Sequence, residues 1–133
     1  VTNEIYNGLI FHRIIENFMI QGGGFDENMM QKKTNAPIIN ESSNGLKNKL
    51  YTLAMARTND PNSATSQFFI NLLNNSFLDY SGKSANKIGY CVFGSVIEGK
   101  EIVDKVGNFS THTKNGFSDV PIKTVVIKSI KQR

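Results

Sequence analysis

A chain of 133 residues with 39% hydrophobic content is sized for one domain around one core. Its apolar runs, such as Phe68-Phe69-Ile70 and Val125-Val126-Ile127, are far shorter than the roughly 20 residues of a membrane helix, which argues against a membrane partner. The net charge of +4, from 15 basic and 11 acidic residues, is scattered; it lacks the clustered basic face with interleaved aromatics of a nucleic-acid binder and reads as solvated surface.

Cys91 is the only cysteine, so no internal disulfide is possible. The expected setting is a reducing one, the cytoplasm, although a disulfide-free periplasmic protein would look the same.

In chain order, Asn7-Gly8 is a turn signal that opens a strand over residues 9–15. Alternation puts Phe11, Arg13 and Ile15 on one face of it and Ile10, His12 and Ile14 on the other. A second short strand follows, with Met19 and Gln21 on one side, and Gly22-Gly23-Gly24 ends it in a bend or bulge where the strand leaves the sheet. Residues 26–50 are mainly polar and read as a long loop wrapping the surface. A short strand is expected at 52–56 and a turn-rich loop at 58–66, with its corner at Asp60-Pro61. The strongest strand is 67–73, with Gln67, Phe69 and Asn71 on one face and Phe68 and Ile70 on the other. Another polar loop with the apolar knot Phe77-Leu78 precedes a strand at 90–96. Helical spacing of Ile102, Val103 and Val106 predicts one helix over 99–106 with Gly107 as its C-cap. His112 falls in a loop, and a last strand is expected at 123–130. Short strands, turn-rich loops and a single helix indicate an all-β sandwich or barrel, the barrel being favoured because it removes exposed edges.

Several familiar chemistries do not fit. The glycine run lacks the Lys-Ser/Thr pair and following helix of a phosphate loop. One cysteine, two histidines and scattered acids offer no metal-ligand spacing, so no metal is expected. His12 reads as a packed residue with a hydrogen bond, and Cys91 as an inert thiol inside an apolar strand. Arg13 stands out. An arginine amid Phe11, Phe18 and Met19, with Gln21 beside it, suggests a held guanidinium above an apolar pocket, suited to an apolar ring bearing an amide.

Taken together, Phe11-His12-Arg13-Ile14-Ile15, Phe18-Met19-Ile20-Gln21-Gly22-Gly23, Leu53-Ala54-Met55-Ala56-Arg57, Ser66-Gln67-Phe68-Phe69-Ile70, Phe77-Leu78-Asp79 and Val92-Phe93-Gly94 resemble the cyclophilins, the cyclosporin-type peptidyl-prolyl cis–trans isomerases. The resemblance covers nearly the whole chain. Met-Ala-Arg-Thr at 55–58 and Gly-Tyr-Cys-Val-Phe at 89–93 look like the bacterial branch.

The resemblance implies a mainly β fold, an eight-stranded antiparallel barrel in the family with helices capping it and the active groove on its outer face. It implies Arg13 as the catalytic arginine, with Gln21 and Gln67 binding substrate backbone. Phe18, Met19, Phe69 and Leu78 would line a proline pocket, with Phe77 and Tyr90 beside it, and Ala56, Arg57 and Thr58 would form the strip that holds the peptide. No cofactor is implied. The partners implied are proline-containing peptides and unfolded proteins. Phe77 stands where the family usually has tryptophan, so weak cyclosporin binding with retained turnover is expected; Tyr90 replaces a histidine common in eukaryotic members. Cyclophilins normally begin with two strands and a helix, so the reading is a single domain over 1–133, truncated at its N-terminus. The function expected is peptidyl-prolyl isomerisation; the alternative is a non-catalytic proline-peptide binding module. A basic nucleic-acid binder is the weakest reading.

Overall fold

A computed structural model describes residues 4–132. Seven antiparallel strands and one α-helix are present among them. Strands β1 (Leu9–Ile15), β2 (Met19–Asp26), β3 (Thr52–Met55), β4 (Phe68–Asn71) and β5 (Val92–Ser95) form a sheet in the order β1-β2-β4-β3-β5. Helix α1 (Lys100–Gly107) follows, then a hairpin of β6 (Thr111–Lys114) and β7 (Phe117–Pro121). No helix among the described residues is long and apolar enough to cross a membrane.

The period of two decides what each face of the sheet carries. Ile14, Ile20, Phe68 and Ile70 face one way and pack with Val103 and Val106 of α1 and with Ile127. Met19, Ala54, Phe69, Leu78 and Val92 form a second apolar cluster, with Ile15, Phe18, Ala56 and Tyr90 packed around it. Neighbouring residues of β2 and β4 thus serve different clusters, Ile20 and Phe68 one, Met19 and Phe69 the other. This is why an almost wholly buried β4 supports both a core and a surface site.

The glycine run lies within β2, not where a strand leaves the sheet. A bulge was the right device, because the β1–β2 register jumps from Leu9↔Asp26 to Phe11↔Gly22 across it. Gly23 has φ +86° and sits against Tyr6 and Phe68, a left-handed geometry that a side chain would strain.

Four other expectations need correction. Residues 123–130 do not form a strand: only Val126 bridges to Ile10, with hydrogen bonds linking Gly8 N–H to Ile127 O, Phe11 N–H to Val125 O and Ile127 N–H to Leu9 O. Two register shifts bend β1, and a straight partner cannot follow it for a full ladder. His112 lies in β6, since Asn115-Gly116, with φ +51° and +80°, makes a tight hairpin turn between polar strands that carry little hydrophobic alternation. In α1 only Val103 and Val106 turn inward; Ile102 is exposed, Gly99 caps the N-terminus, and Asn108 rather than Gly107 is the C-cap. Cys91 precedes β5 and is partly exposed, so it is not a thiol sealed inside a strand.

His12 is buried as alternation predicts, but its Nδ1 has no hydrogen-bond partner among the described residues. Its ring packs 4.7 Å from that of Phe25, within the cluster of Ile10, Phe25, Met29 and Val120. Burial, aided by the neighbouring Arg13 charge, lowers its pKa from 6.5 to about 4.

Candidate active site

The site begins with β1 and β2 side by side, where Arg13 pairs with Gln21 in register. Arg13 Nη1 donates to Gln21 Oε1 at 3.2 Å, and Gln21 Nε2 donates to Gln67 Oε1 at 2.9 Å. A guanidinium and two amides therefore form one hydrogen-bonded line across three chain segments. Among the described residues Arg13 has no ion pair and this one side-chain bond, so much of its donor capacity is open to a ligand. Gly24 makes the far end possible. A Cβ there would come within 2.6 Å of the Gln67 side chain, which lies flat against the bare backbone.

Beneath this line is an apolar floor. Met19, Phe69 and Leu78 are all buried, and with Arg13, Phe18, Gln21, Ala56, Arg57 and Tyr90 they line a cavity of about 90 Å³. Its aromatic walls support one another. Phe18 stacks on Phe77 with ring centres 5.8 Å apart, and Tyr90 meets Phe69 edge-on at 5.7 Å. The Arg57 guanidinium lies 4.5 Å over the Tyr90 ring. Its Nε and Nη2 both donate to Gly89 O, at 3.2 and 2.9 Å, and Nη1 donates to Thr58 O at 2.9 Å. A guanidinium held by three hydrogen bonds and a ring is a fixed wall.

The structure thus brings nine of the expected residues to one cavity: Arg13, Phe18, Met19, Gln21, Ala56, Arg57, Phe69, Leu78 and Tyr90. Three stand outside its lining. Gln67 holds Gln21 from behind. Phe77 is 73% exposed and acts as a buttress on Phe18. Thr58 is occupied with its own turn, its N–H and hydroxyl both donating to the Ser63 hydroxyl.

Sequence reasoning missed the supports of this cavity, a set of buried asparagines. Asn48 Nδ2 donates to Leu78 O at 3.1 Å and Tyr90 O at 3.2 Å. Asn71 Nδ2 donates to Asn48 Oδ1 at 3.0 Å, and Asn75 Nδ2 to Asn71 Oδ1 at 2.7 Å and Phe18 O at 2.9 Å. Three wall residues, Phe18, Leu78 and Tyr90, hang by their carbonyls from one amide chain. The available signal was the single Asn71 on the groove face of an otherwise apolar strand.

A strand-borne guanidinium over a small apolar cavity can seat an apolar ring and donate to an amide beside it. The sequence matches the family "Cyclophilin type peptidyl-prolyl cis-trans isomerase/CLD" over residues 1–132, and the chain belongs to that family. It is similar to the peptidyl-prolyl cis-trans isomerase cyp18 of Streptomyces antibioticus, at 56% identity over 98% of this chain and 79% of that protein. Peptidyl-prolyl cis-trans isomerase B of Escherichia coli is 54% identical over 94% of this chain and 76% of its own length. Among solved structures, a cyclophilin-type isomerase of Cryptosporidium parvum superposes with a TM-score of 0.76 at 27% identity, covering 96% of this chain and 75% of that one. The same protein in the presence of the dipeptide Ala-Pro gives a TM-score of 0.73. The fold expected from the sequence is therefore borne out. Peptidyl-prolyl isomerisation is the activity of this chain, and proline-containing peptides are its substrates.

Proposed function

We propose that the X-Pro bond rotates in the cavity beneath Arg13, with the proline ring on Met19, Phe69 and Leu78 and walled by Phe18. The observation that carries this reading is the line from Arg13 through Gln21 to Gln67 above an apolar floor. Rotation about the prolyl amide must overcome a barrier of about 18–20 kcal/mol that comes from resonance, without breaking a covalent bond. As the bond twists, the prolyl nitrogen becomes pyramidal and regains its lone pair. A guanidinium donating to that nitrogen stabilises the twisted amide more than the planar one, which is the differential binding that accelerates a reaction. Gln21 aims the guanidinium, and Gln67 aims Gln21. Ala56 and Arg57 hold the peptide backbone on one side of the proline, so the other side can turn. Thr58, tied to Ser63 and Arg57, shapes the end of this strip without binding the peptide. Tyr90 and the Phe77–Phe18 stack enclose the ring.

Folding intermediates with exposed prolines are the natural larger substrates of such an open groove. Cyclosporin binds weakly, because Phe77 offers no indole N–H. Phe77→Trp is expected to tighten cyclosporin binding about tenfold with little change in peptide turnover; an unchanged affinity would remove that account.

The test of the central reading compares the chain with Arg13→Ala and Arg13→Lys in a prolyl isomerisation assay. Removing a preorganised donor costs about 10²–10³ in turnover, and lysine restores little because it lacks the planar fork. Equal rates would sink the role of Arg13. Peptide binding with no catalysed cis–trans exchange in the unaltered chain would favour a non-catalytic binding module.

A further inference from the structure

A second, more apolar cavity of about 150 Å³ lies on the other side of Arg57, lined by Ile38, Ile39, Met55, Ala64, Cys91 and Phe93 with Arg57, Asn40 and Glu41. Arg57 also lines the groove cavity, so the two spaces are separated by one side chain. Their walls hang from a common atom. Gly89 O accepts both Arg57 bonds and a third from Asn40 Nδ2 at 3.3 Å. The outer wall is equally fixed: Ile38 N–H donates to Ala64 O at 2.9 Å, and Asn40 N–H to Asn62 Oδ1 at 2.9 Å. The cavity is therefore preformed. Around it, Ile38, Ile39 and Phe93 are 51%, 77% and 49% exposed, an apolar cluster that none of the described residues covers.

We propose that this cavity is a specificity subsite that takes one phenylalanine or leucine side chain of the same proline-containing peptide. The inference rests on the reading of the groove as the prolyl site. Size supports it, since an apolar space of about 150 Å³ accommodates a benzene ring. Reach supports it as well: an extended chain advances about 3.3 Å per residue, so two or three residues from the proline carry a side chain past the Arg57 partition. Chemistry supports the type of side chain. Arg57 is already engaged by Gly89, Thr58 and the Tyr90 ring, and apart from Asn40 and Glu41 the walls that remain are apolar. An acidic side chain would be desolvated there beside a like charge, whereas an apolar one fits the larger part of the lining.

The test uses alanine octapeptides with one central Ala-Pro and a single phenylalanine moved through three positions before and three after it. At one position phenylalanine should raise kcat/KM about five- to tenfold, through KM. Ala64→Leu, which fills the cavity, should abolish that gain while the all-alanine peptide is turned over as before; Phe93→Ala, which removes an exposed wall, should reduce it. Cys91 gives a readout independent of activity, since the favoured peptide should slow its alkylation by iodoacetamide and the all-alanine peptide should not. A gain at no position, a gain that survives Ala64→Leu, or alkylation equally fast with both peptides overturns the subsite. Absent turnover of every peptide by the unaltered chain would overturn the groove reading instead, while Cys91 protection would still report on the cavity.

Discussion

Asn71 Nδ2 donates to Asn48 Oδ1 at 3.0 Å, and the two side chains are 0% and 1% exposed. This pair joins the buried end of β4 to the backbone carbonyls of Leu78 and Tyr90, two walls of the groove that lie outside the sheet, Leu78 in a 3-10 turn and Tyr90 in a loop. A loop wall needs such an anchor, because it has no sheet ladder to hold it.

Asn48→Ala therefore leaves the Tyr90 carbonyl and one Asn71 donor without their partner, while Leu78 O keeps only the bond from Tyr90 N–H. At about 1–3 kcal/mol for each unsatisfied buried group, a loss of about 3 kcal/mol or more is expected in urea unfolding. In the fraction that stays folded, KM should rise more than kcat falls, since the walls shift while Arg13 keeps its place. Unchanged stability would show that the amide chain is not a support.

Gly24→Ala acts on the other end of the site. The new Cβ meets the Gln67 side chain at 2.6 Å, and that side chain can swing away at modest cost in stability. What it loses is its bond to Gln21, and through it the aim of Arg13. A fall in kcat of about tenfold, with a melting temperature close to that of the unaltered chain, is the expected result. A tenfold fall corresponds to about 1.4 kcal/mol of transition-state stabilisation. Normal turnover in this variant would argue that Gln67 does not govern the line.

His12 makes stability depend on pH. Its pKa is about 4 in the fold and 6.5 without it, so between these values the unfolded chain binds the extra proton. Stability therefore rises with pH through this window: the penalty is absent above about pH 6.5 and grows as pH falls towards 4. Between pH 7 and 4.5 it amounts to something on the order of 2 kcal/mol. His12→Phe should flatten that part of the pH–stability curve, leaving only what the carboxylates contribute. Parallel curves for the two proteins would show that His12 ionises freely in the fold.

Phe77→Ala removes the outer half of the stack on Phe18. Aromatic pairs contribute about 0.5–1.5 kcal/mol, and the exposure of Phe77 places this one at the low end. A rise in KM of a few-fold with kcat nearly intact is expected in peptide kinetics. A large fall in kcat would instead make Phe77 part of the rotating machinery.

The sequence alone determined that Arg13 lies opposite His12, and the pairing of apolar and amide residues around Met19, Gln21 and Phe69. It misplaced Phe11, which the register shift before Arg13 turns away from the groove and onto Phe68 in the Ile14 cluster. It also determined the resemblance carried by the ordered motifs. These were legible because a period of two is a local property of the chain. The ends of strands were less so. Residues 123–130 have strand composition yet make only one bridge, because whether a segment pairs depends on the curvature of its partner β1. His112 was misplaced for the opposite reason, since a tight Asn-Gly turn imposes pairing on strands with little apolar pattern.

Only the tertiary structure decided how the site is held together. Asn48 sits in what reads as an undistinguished polar loop, and nothing local marks it as the residue that fixes Leu78 and Tyr90. Arg57 belongs to a recognisable motif, but its place as the partition between two cavities depends on Gly89, thirty-two positions away. Such roles arise from hydrogen bonds between distant segments, whose partners are chosen by burial: a polar group taken out of water must find another polar group, and the fold decides which one is there.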